Sequence, residues 1–425
     1  MSSLAGGVNY NFRIPGHEHD LVVAGGEGAW ITTTSGLRML DFFSAFGARA
    51  FPHGCRPYEV AVATGARVMS GSLPSAAIEH AAATLIRLFP HHSTVRFCTS
   101  GTEAVQLAIR LARAATGRTR IMRFNEHYHG HLDALLGGTY SPSTYPDPAV
   151  LPDDPRATEG SPPEQVTTQN YLARWNNIDD VDSFFRAYGD SVAAVLLEPY
   201  PINAGAVAPA PGFLERIRQH CNRHNAVLIF DEIITGIRAG FGGWQATSSV
   251  RPDITLLGKM LGGGAVPVSA VLTSDAIFRL CADHRVVHGG TLNGSPLAAA
   301  AITRTIELLQ APGALSMDSL HRAGKDLLTS IHNHIQREDL KVIVTGLPAA
   351  FWIKPIGRPI SARTALLRRH LLAAGVLPAA PTRIYTTAGM TENDIAEGAQ
   401  RILTALRAFS QNPYAETSGG TRART

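Results

Sequence analysis

The residue types best suited to chemistry stand together in residues 225–271, NAVLIFDEIITGIRAGFGGWQATSSVRPDITLLGKMLGGGAVPVSAV. An apolar run, 226–230, ends on two acids, Asp231 and Glu232. A second run, 254–257, ends on Gly258-Lys259, followed by Gly262, Gly263 and Gly264. Runs of this length read as strands buried on both faces, and strand ends in α/β sheets are where ligands bind. The lysine is informative because the chain carries its positive charge mostly as arginine: of 38 basic residues only Lys259, Lys325, Lys341 and Lys354 are Lys. An amine can lose its proton when desolvated and attack a carbonyl; a guanidinium cannot. On local context alone, the competing reading is a lysine whose stem lies along a loop with its head in water.

The stretch resembles the fold-type I, class III pyridoxal-phosphate enzymes, especially the branch around glutamate-1-semialdehyde aminomutase. That branch carries a strand ending in D-E, then T-G-(F/I)-R, then P-D-(I/L)-T running to G-K and a G-G-G turn. The matching residues are Asp231-Glu232, Thr235-Gly236-Ile237-Arg238, and Pro252-Asp253-Ile254-Thr255 leading to Lys259 and Gly262-Gly263-Gly264. The resemblance implies an α/β fold of type I: a large domain with a mostly parallel seven-stranded sheet, plus a small α+β domain. It implies pyridoxal 5'-phosphate as cofactor, Lys259 as its Schiff-base lysine and Asp231 as partner of the pyridinium nitrogen. A carboxylate in that position keeps the ring protonated and able to absorb carbanion charge.

The elements that must position these groups follow from the rest of the chain. With 425 residues and 45% hydrophobic residues, there is enough core for one large domain and one smaller one. The net charge of +4 is spread without a Lys/Arg run, so neither nucleic acid nor an anionic membrane is expected as main partner. Cys55, Cys98, Cys221 and Cys281 lack metal spacing, which suits reduced thiols. No apolar run reaches transmembrane length and no signal-peptide pattern opens the chain, so a cytoplasmic enzyme is expected. The expected boundaries are an N-terminal segment (1–55) packing with the small domain, a large domain (56–310), a small domain (311–410) and a disordered tail (411–425).

Further motifs fall in this frame. Residues 95–98 read as a strand and 101–116 as a helix, with Val105, Ala108, Ile109 and Ala112 on one face and Gly117 as stop. The turn between them, Ser100-Gly101-Thr102-Glu103-Ala104, puts small hydroxyl residues at a helix N-terminus, where free N–H groups attract anions. Plain N-capping by Ser100 or Thr102 is the simpler reading; the resemblance to the family's S-G-(T/S)-E-A loop implies phosphate binding. Tyr128-His129-Gly130 matches Y-H-G, which implies an aromatic ring stacked on the pyridine face. His127, His129 and His131 could begin a metal site, but no Cys, His or carboxylate cluster completes one, so no metal is expected. Glu198-Pro199 and Asn203 match E-P-(x)3-N, which implies that Glu198 and Asn203 contact the cofactor directly, the Asn near its phenolic oxygen. Thr291 lies in a G-T-(L/F) loop that in these homodimers reaches the partner subunit's phosphate.

The substrate side follows the family less closely. GGVNYNFR resembles the family's opening and places Arg13 where a substrate carboxylate is bound. Phe46 stands where the aminomutases usually have Trp, and Arg49 where they have an apolar residue. Ser72 falls in a helix–helix loop whose family counterpart lines the substrate pocket. Residues 138–170, rich in Pro, Ser, Thr and Asp, read as a long loop where the family has a mobile gate. The loop before the last helix offers Thr382 and Arg383 but no match to the family's substrate-discriminating Glu. These departures favour an aminotransferase moving an amino group between a carboxylate-bearing amine and a keto or aldehyde acceptor. An aminomutase is the alternative, ahead of a racemase or a cofactor-binding protein without turnover.

Overall fold

The structure, a computed structural model, describes residues 3–4, 21–135, 139–140, 169–357 and 359–411. Two compact units emerge, one of residues 1–46, 51–55 and 312–425, the other of residues 47–50 and 56–311. The first unit opens with β1 (Val23–Glu27), β2 (Trp30–Thr33) and β3 (Arg38–Phe42). The second carries β4 (Thr94–Cys98), β5 (Arg120–Phe124), β6 (Thr139–Tyr140), β7 (Asn170–Ala173), β8 (Val192–Leu197), β9 (Val227–Asp231), β10 (Ile254–Leu257) and β11 (Ser269–Thr273). The chain then returns to the first unit with β12 (Val342–Leu347), β13 (Ala350–Pro355), β14 (Val376–Pro378) and β15 (Arg383–Tyr385).

The larger unit is built on one sheet of order β4-β11-β10-β9-β8-β5-β7-β6. All neighbours run parallel except β11, which is antiparallel to both β10 and β4. This is the expected mostly parallel seven-stranded sheet, extended at one edge by the two-residue β6. Every residue of β8, β9 and β10 is buried, which is why these strands read as continuous apolar runs and not as alternation. The helix Gly101–Thr116 buries Val105, Ala108, Ile109 and Ala112 in the core beside Ile229, Leu256 and Val271. It ends on Gly117 in the left-handed conformation, as a helix stop requires.

Two departures have plain causes. The helix before the Ser72 loop, which the sequence lets run over 57–69, is Arg56–Gly65 and ends on a glycine where a Cβ would lie 2.5 Å from the Cβ of Ala300 on the helix Pro296–Gln310. The strand Asn170–Ala173 and the helix Ile178–Tyr188 were not expected: the strand is four residues long and follows a polar segment without periodicity. The proposed gate falls almost wholly on residues 141–168, and the tail on 412–425; both lie outside the described residues.

The smaller unit has two sheets, β1-β2-β3-β14 and β12-β13-β15, over a core that includes Leu40, Phe42, Phe351, Ile353, Leu406 and Phe409. After β3 the chain makes a left-handed turn: Ser44, Ala45 and Phe46 have φ of 46°, 50° and 55°. Each such residue costs about 1–2 kcal/mol. Asp41 holds the turn, its Oδ1 accepting the Ser44 N–H (2.9 Å) and its Oδ2 bonding His53 (3.0 Å).

Candidate active site

The register of the central strands sets the site. β9 and β10 are parallel and Asp231 stands opposite Leu256, so Asp231 and the Gly258-Lys259 step leave the sheet side by side. Lys259 has φ 47°, a conformation an L-residue adopts only under constraint from its surroundings. Strain of this kind gathers at functional positions.

Asp231 is buried, and both its oxygens have partners: Oδ1 accepts the Ile233 N–H at 3.1 Å and Oδ2 bonds His129 Nδ1 at 2.7 Å. His129 is buried too, and its Nε2 has no protein partner. The loop after β5 that carries His129 is joined to the end of β8 by a reciprocal pair. Tyr128 N–H donates to Glu198 Oε1 (2.9 Å), and Glu198 N–H donates to His127 Nδ1 (3.1 Å). Burial, reinforced by His129 and then Arg123, holds the His127 imidazole well below its ordinary range, so it is neutral and can accept that proton. Asn203 Nδ2 donates to Glu198 Oε1 at 3.0 Å.

The small hydroxyl loop lies against this group. Glu103 accepts from the Thr99 and Ser100 N–H groups, while Ser100 Oγ accepts the Glu103 N–H: a capping box that fixes the start of the helix Gly101–Thr116. The capping reading of Ser100 therefore holds, whatever else its hydroxyl does. Ser269 on β11 ties the loop down by donating to Ser100 O at 2.6 Å. Gly130, at φ 90°, lets the Tyr128–His131 loop lie on Thr102; a Cβ there would sit 2.5 Å from Thr102 Oγ1. Ile233 joins the two halves: Cβ atoms added at Gly101 and Gly258 would approach it at 2.8 and 3.3 Å. Gly101, Thr102, Tyr128, His129, Glu198, Asn203, Asp231 and Lys259 are thus brought to one end of the sheet.

The other expected residues are distributed differently. Arg49 belongs to the larger unit, on a segment bolted to the turn after Lys259. Ala50 N–H donates to Gly263 O, Gly264 approaches the Arg49 backbone, and the buried Arg238 guanidinium donates to Gly47 O (2.8 Å) and Arg49 O (2.9 Å). Phe46 belongs to the smaller unit, its ring 4.5 Å from that of Phe43 and under the Arg383 guanidinium at 5.8 Å. Ser72 and Thr291 are exposed and form a second group, since a Cβ at Gly71 would meet Thr291 O at 2.9 Å. The Thr291 loop is tethered to the end of β4 by His288 Nε2, 3.5 Å from Cys98 Sγ. Arg13 lies outside the described residues.

Three positions were not read for these roles in the sequence: His127, Ile233 and Ser269. The first hid among alternating histidines, and the other two are ordinary strand-end residues. Arg238 was legible only as the last letter of a motif, while its burial at 1% exposure makes it the organiser of the Gly47–Ala50 segment. Among the described residues no group of three or more His, Cys, Asp or Glu side chains could hold a metal ion, and no helix is long and apolar enough to cross a membrane.

A helix N-terminus, a buried carboxylate and a lysine at neighbouring strand ends define an enzyme that handles an anionic cofactor at a doubly covered α/β sheet. Residues 14–347 match the family described as aminotransferase class-III, and the chain belongs to that family. Its enzymes work with pyridoxal 5'-phosphate. The chain is 32% identical over 424 residues to the glutamate-1-semialdehyde 2,1-aminomutase of Hyperthermus butylicus, covering 96% of each chain. An omega-transaminase structure from Sphaerobacter thermophilus superposes with a TM-score of 0.84 at 28% identity, over 95% of this chain and 94% of that one. A glutamate-1-semialdehyde-aminomutase from Pseudomonas aeruginosa PAO1, in complex with PMP, gives 0.76 at 26% identity, over 91% and 88%.

The residues present fit that cofactor. Ser100, Gly101 and Thr102 open the helix Gly101–Thr116, whose first backbone N–H groups and positive dipole end suit a phosphate. Asp231 supplies a buried anion for a ring cation, and Lys259 supplies the amine.

Proposed function

We propose that this enzyme is a transaminase for carboxylate-bearing amines. The observation that carries the reading is the juxtaposition of Asp231 and the strained Lys259 at the ends of two adjacent parallel strands. Pyridoxal phosphate bound there supplies an electron sink for charge developing on the substrate's α-carbon. Lys259 Nζ moves the proton at that carbon. Asp231, oriented by His129, holds the ring nitrogen protonated. Ser100, Gly101 and Thr102 would hold the phosphate, Tyr128 and Ile233 the ring, and Asn203 the phenolic oxygen. Arg13 and Arg49 bind the substrate carboxylate, with Phe46 and Ser72 shaping its pocket.

The enzyme acts as a homodimer in which Thr291 serves the partner's phosphate. In support, Met69 (94% exposed), Leu73, Val287 and Leu292 are exposed apolar residues on the two segments that approach each other at Gly71 and Thr291. A cytoplasmic setting suits the burial of Cys55, Cys98, Cys221 and Cys281. The second reading, an aminomutase returning the amino group to the same skeleton, draws on the name of the Hyperthermus relative.

One experiment tests the reading. Borohydride reduction of the holoenzyme should fix the cofactor on Lys259, and Lys259→Ala should lose turnover by several orders of magnitude; an adduct mapped to Lys325, Lys341 or Lys354 sinks it. Amino compounds added one at a time then separate the two activities. A free carbonyl product and demand for a second acceptor indicate a transaminase; isomerisation of a single substrate indicates the aminomutase.

A further inference from the structure

Glu198 closes β8 as a buried carboxylate surrounded by donors. Oε1 accepts from Tyr128 N–H (2.9 Å) and Asn203 Nδ2 (3.0 Å), and Oε2 from Asn203 N–H (3.4 Å). Each partner is an N–H donor, so a proton placed on Glu198 would find no acceptor among them. The titratable groups facing it are Asp231 from the end of β9 and His129 from the loop after β5. His127, which accepts the Glu198 main-chain N–H, is faced in turn by Arg123. Burial raises the Glu198 carboxyl above its ordinary range and Asp231 raises it further, while His129 and the three donors pull it back. Two acids thus share one dry corner, an arrangement disfavoured unless a cation is added to it.

We infer that Glu198 is a positioning residue and the second anion of the site. Its oxygens lock the Tyr128 loop and the Asn203 side chain into place, and its charge, added to that of Asp231, holds the bound cofactor in its protonated forms. This rests on the placement of the cofactor proposed above. The role works through Tyr128, Asn203 and Asp231, and it differs from the direct cofactor contact expected at this position from sequence.

Glu198→Gln separates the two parts of the role. A glutamine oxygen can still accept the two shorter bonds, both of which go to Oε1, so the loop geometry survives while the charge is lost. Removing an anion near a cationic group lowers that group's pKa. The pH at which the lysine-bound cofactor's visible absorbance changes should therefore fall by about one unit in Glu198→Gln. Melting temperature should stay near the wild-type value, and cofactor affinity should fall by no more than about tenfold, the loss that a one-unit shift carries. Glu198→Ala should show the same spectral shift together with a further loss of cofactor affinity of about tenfold or more, as Tyr128 and Asn203 come loose.

An unshifted transition in Glu198→Gln overturns the electrostatic part, and a cofactor affinity in Glu198→Ala equal to that of Glu198→Gln overturns the positioning part. If Glu198→Ala does not fold, Glu198→Met, which keeps the bulk without the acceptor, takes its place in the affinity measurement. Borohydride mapping is run on every variant. An adduct still on Lys259 beside an unshifted spectrum rejects only this inference, whereas an adduct elsewhere rejects the reading of the site itself.

Discussion

Replacing Asp231 with Asn tests the site at its centre, because the substitution removes a charge and almost nothing else. The Asn oxygen can keep the Ile233 N–H bond, and the neutral amide can donate to His129 Nδ1 if that ring changes tautomer. The fold should therefore survive, with a cost of about 1 kcal/mol and a melting temperature lower by roughly 2–4 °C. The catalytic loss is larger. What disappears is, in the proposed role, the charge-assisted bond to the ring nitrogen, while the His129 contact at 2.7 Å becomes an ordinary one. At about 1.5–3 kcal/mol this amounts to roughly 10- to 150-fold in kcat/KM. Steady-state kinetics on the best amino donor, with cofactor saturation checked by absorbance, measures it. A kcat/KM within about threefold of wild type in a fully loaded Asp231→Asn enzyme would refute the role, since it would put the loss below about 0.7 kcal/mol.

Further outcomes are expected elsewhere. Gly130→Ala should raise the cofactor's dissociation constant by about 5- to 150-fold, because φ 90° and a Cβ 2.5 Å from Thr102 Oγ1 together cost about 1–3 kcal/mol; equilibrium dialysis measures it. Arg49→Ala should cut kcat/KM roughly 10- to 100-fold for carboxylate-bearing donors and leave simple amines little changed, as expected for loss of a charge-assisted contact; equal losses for both would place Arg49 in a structural role. Thr291→Ala should weaken cofactor retention, and Leu292→Asp should shift sedimentation toward monomer with loss of bound cofactor; a fully loaded, active monomer would contradict the shared site.

Much of the chemistry was legible in the sequence because it is local. Asp231 and Lys259 end apolar runs whose strand character follows from composition alone, and Ser100–Glu103 spells a capping box at the start of a periodic helix. The helix stop at Gly117 was readable for the same reason: its left-handed φ suits a residue without a Cβ. Sequence fixes such features because neighbours along the chain determine them.

Tertiary structure decided what depends on contacts between distant segments. That Glu198, His127 and Tyr128 form a reciprocal latch depends on β5 and β8 being neighbours in the sheet, which no local pattern encodes. Residues 47–50 sit among chain that belongs to the smaller unit, yet the larger unit claims them. A buried guanidinium from position 238 and the glycine turn after Lys259 grip their backbone, a pairing across about 190 residues. Ile233 reads as one more apolar residue after an acid pair. Its place between Gly101 and Gly258 exists only because both glycines lack a Cβ and their strands close on it. Sequence thus named candidate groups, and packing at the strand ends determined which of them face one another and in what state of strain.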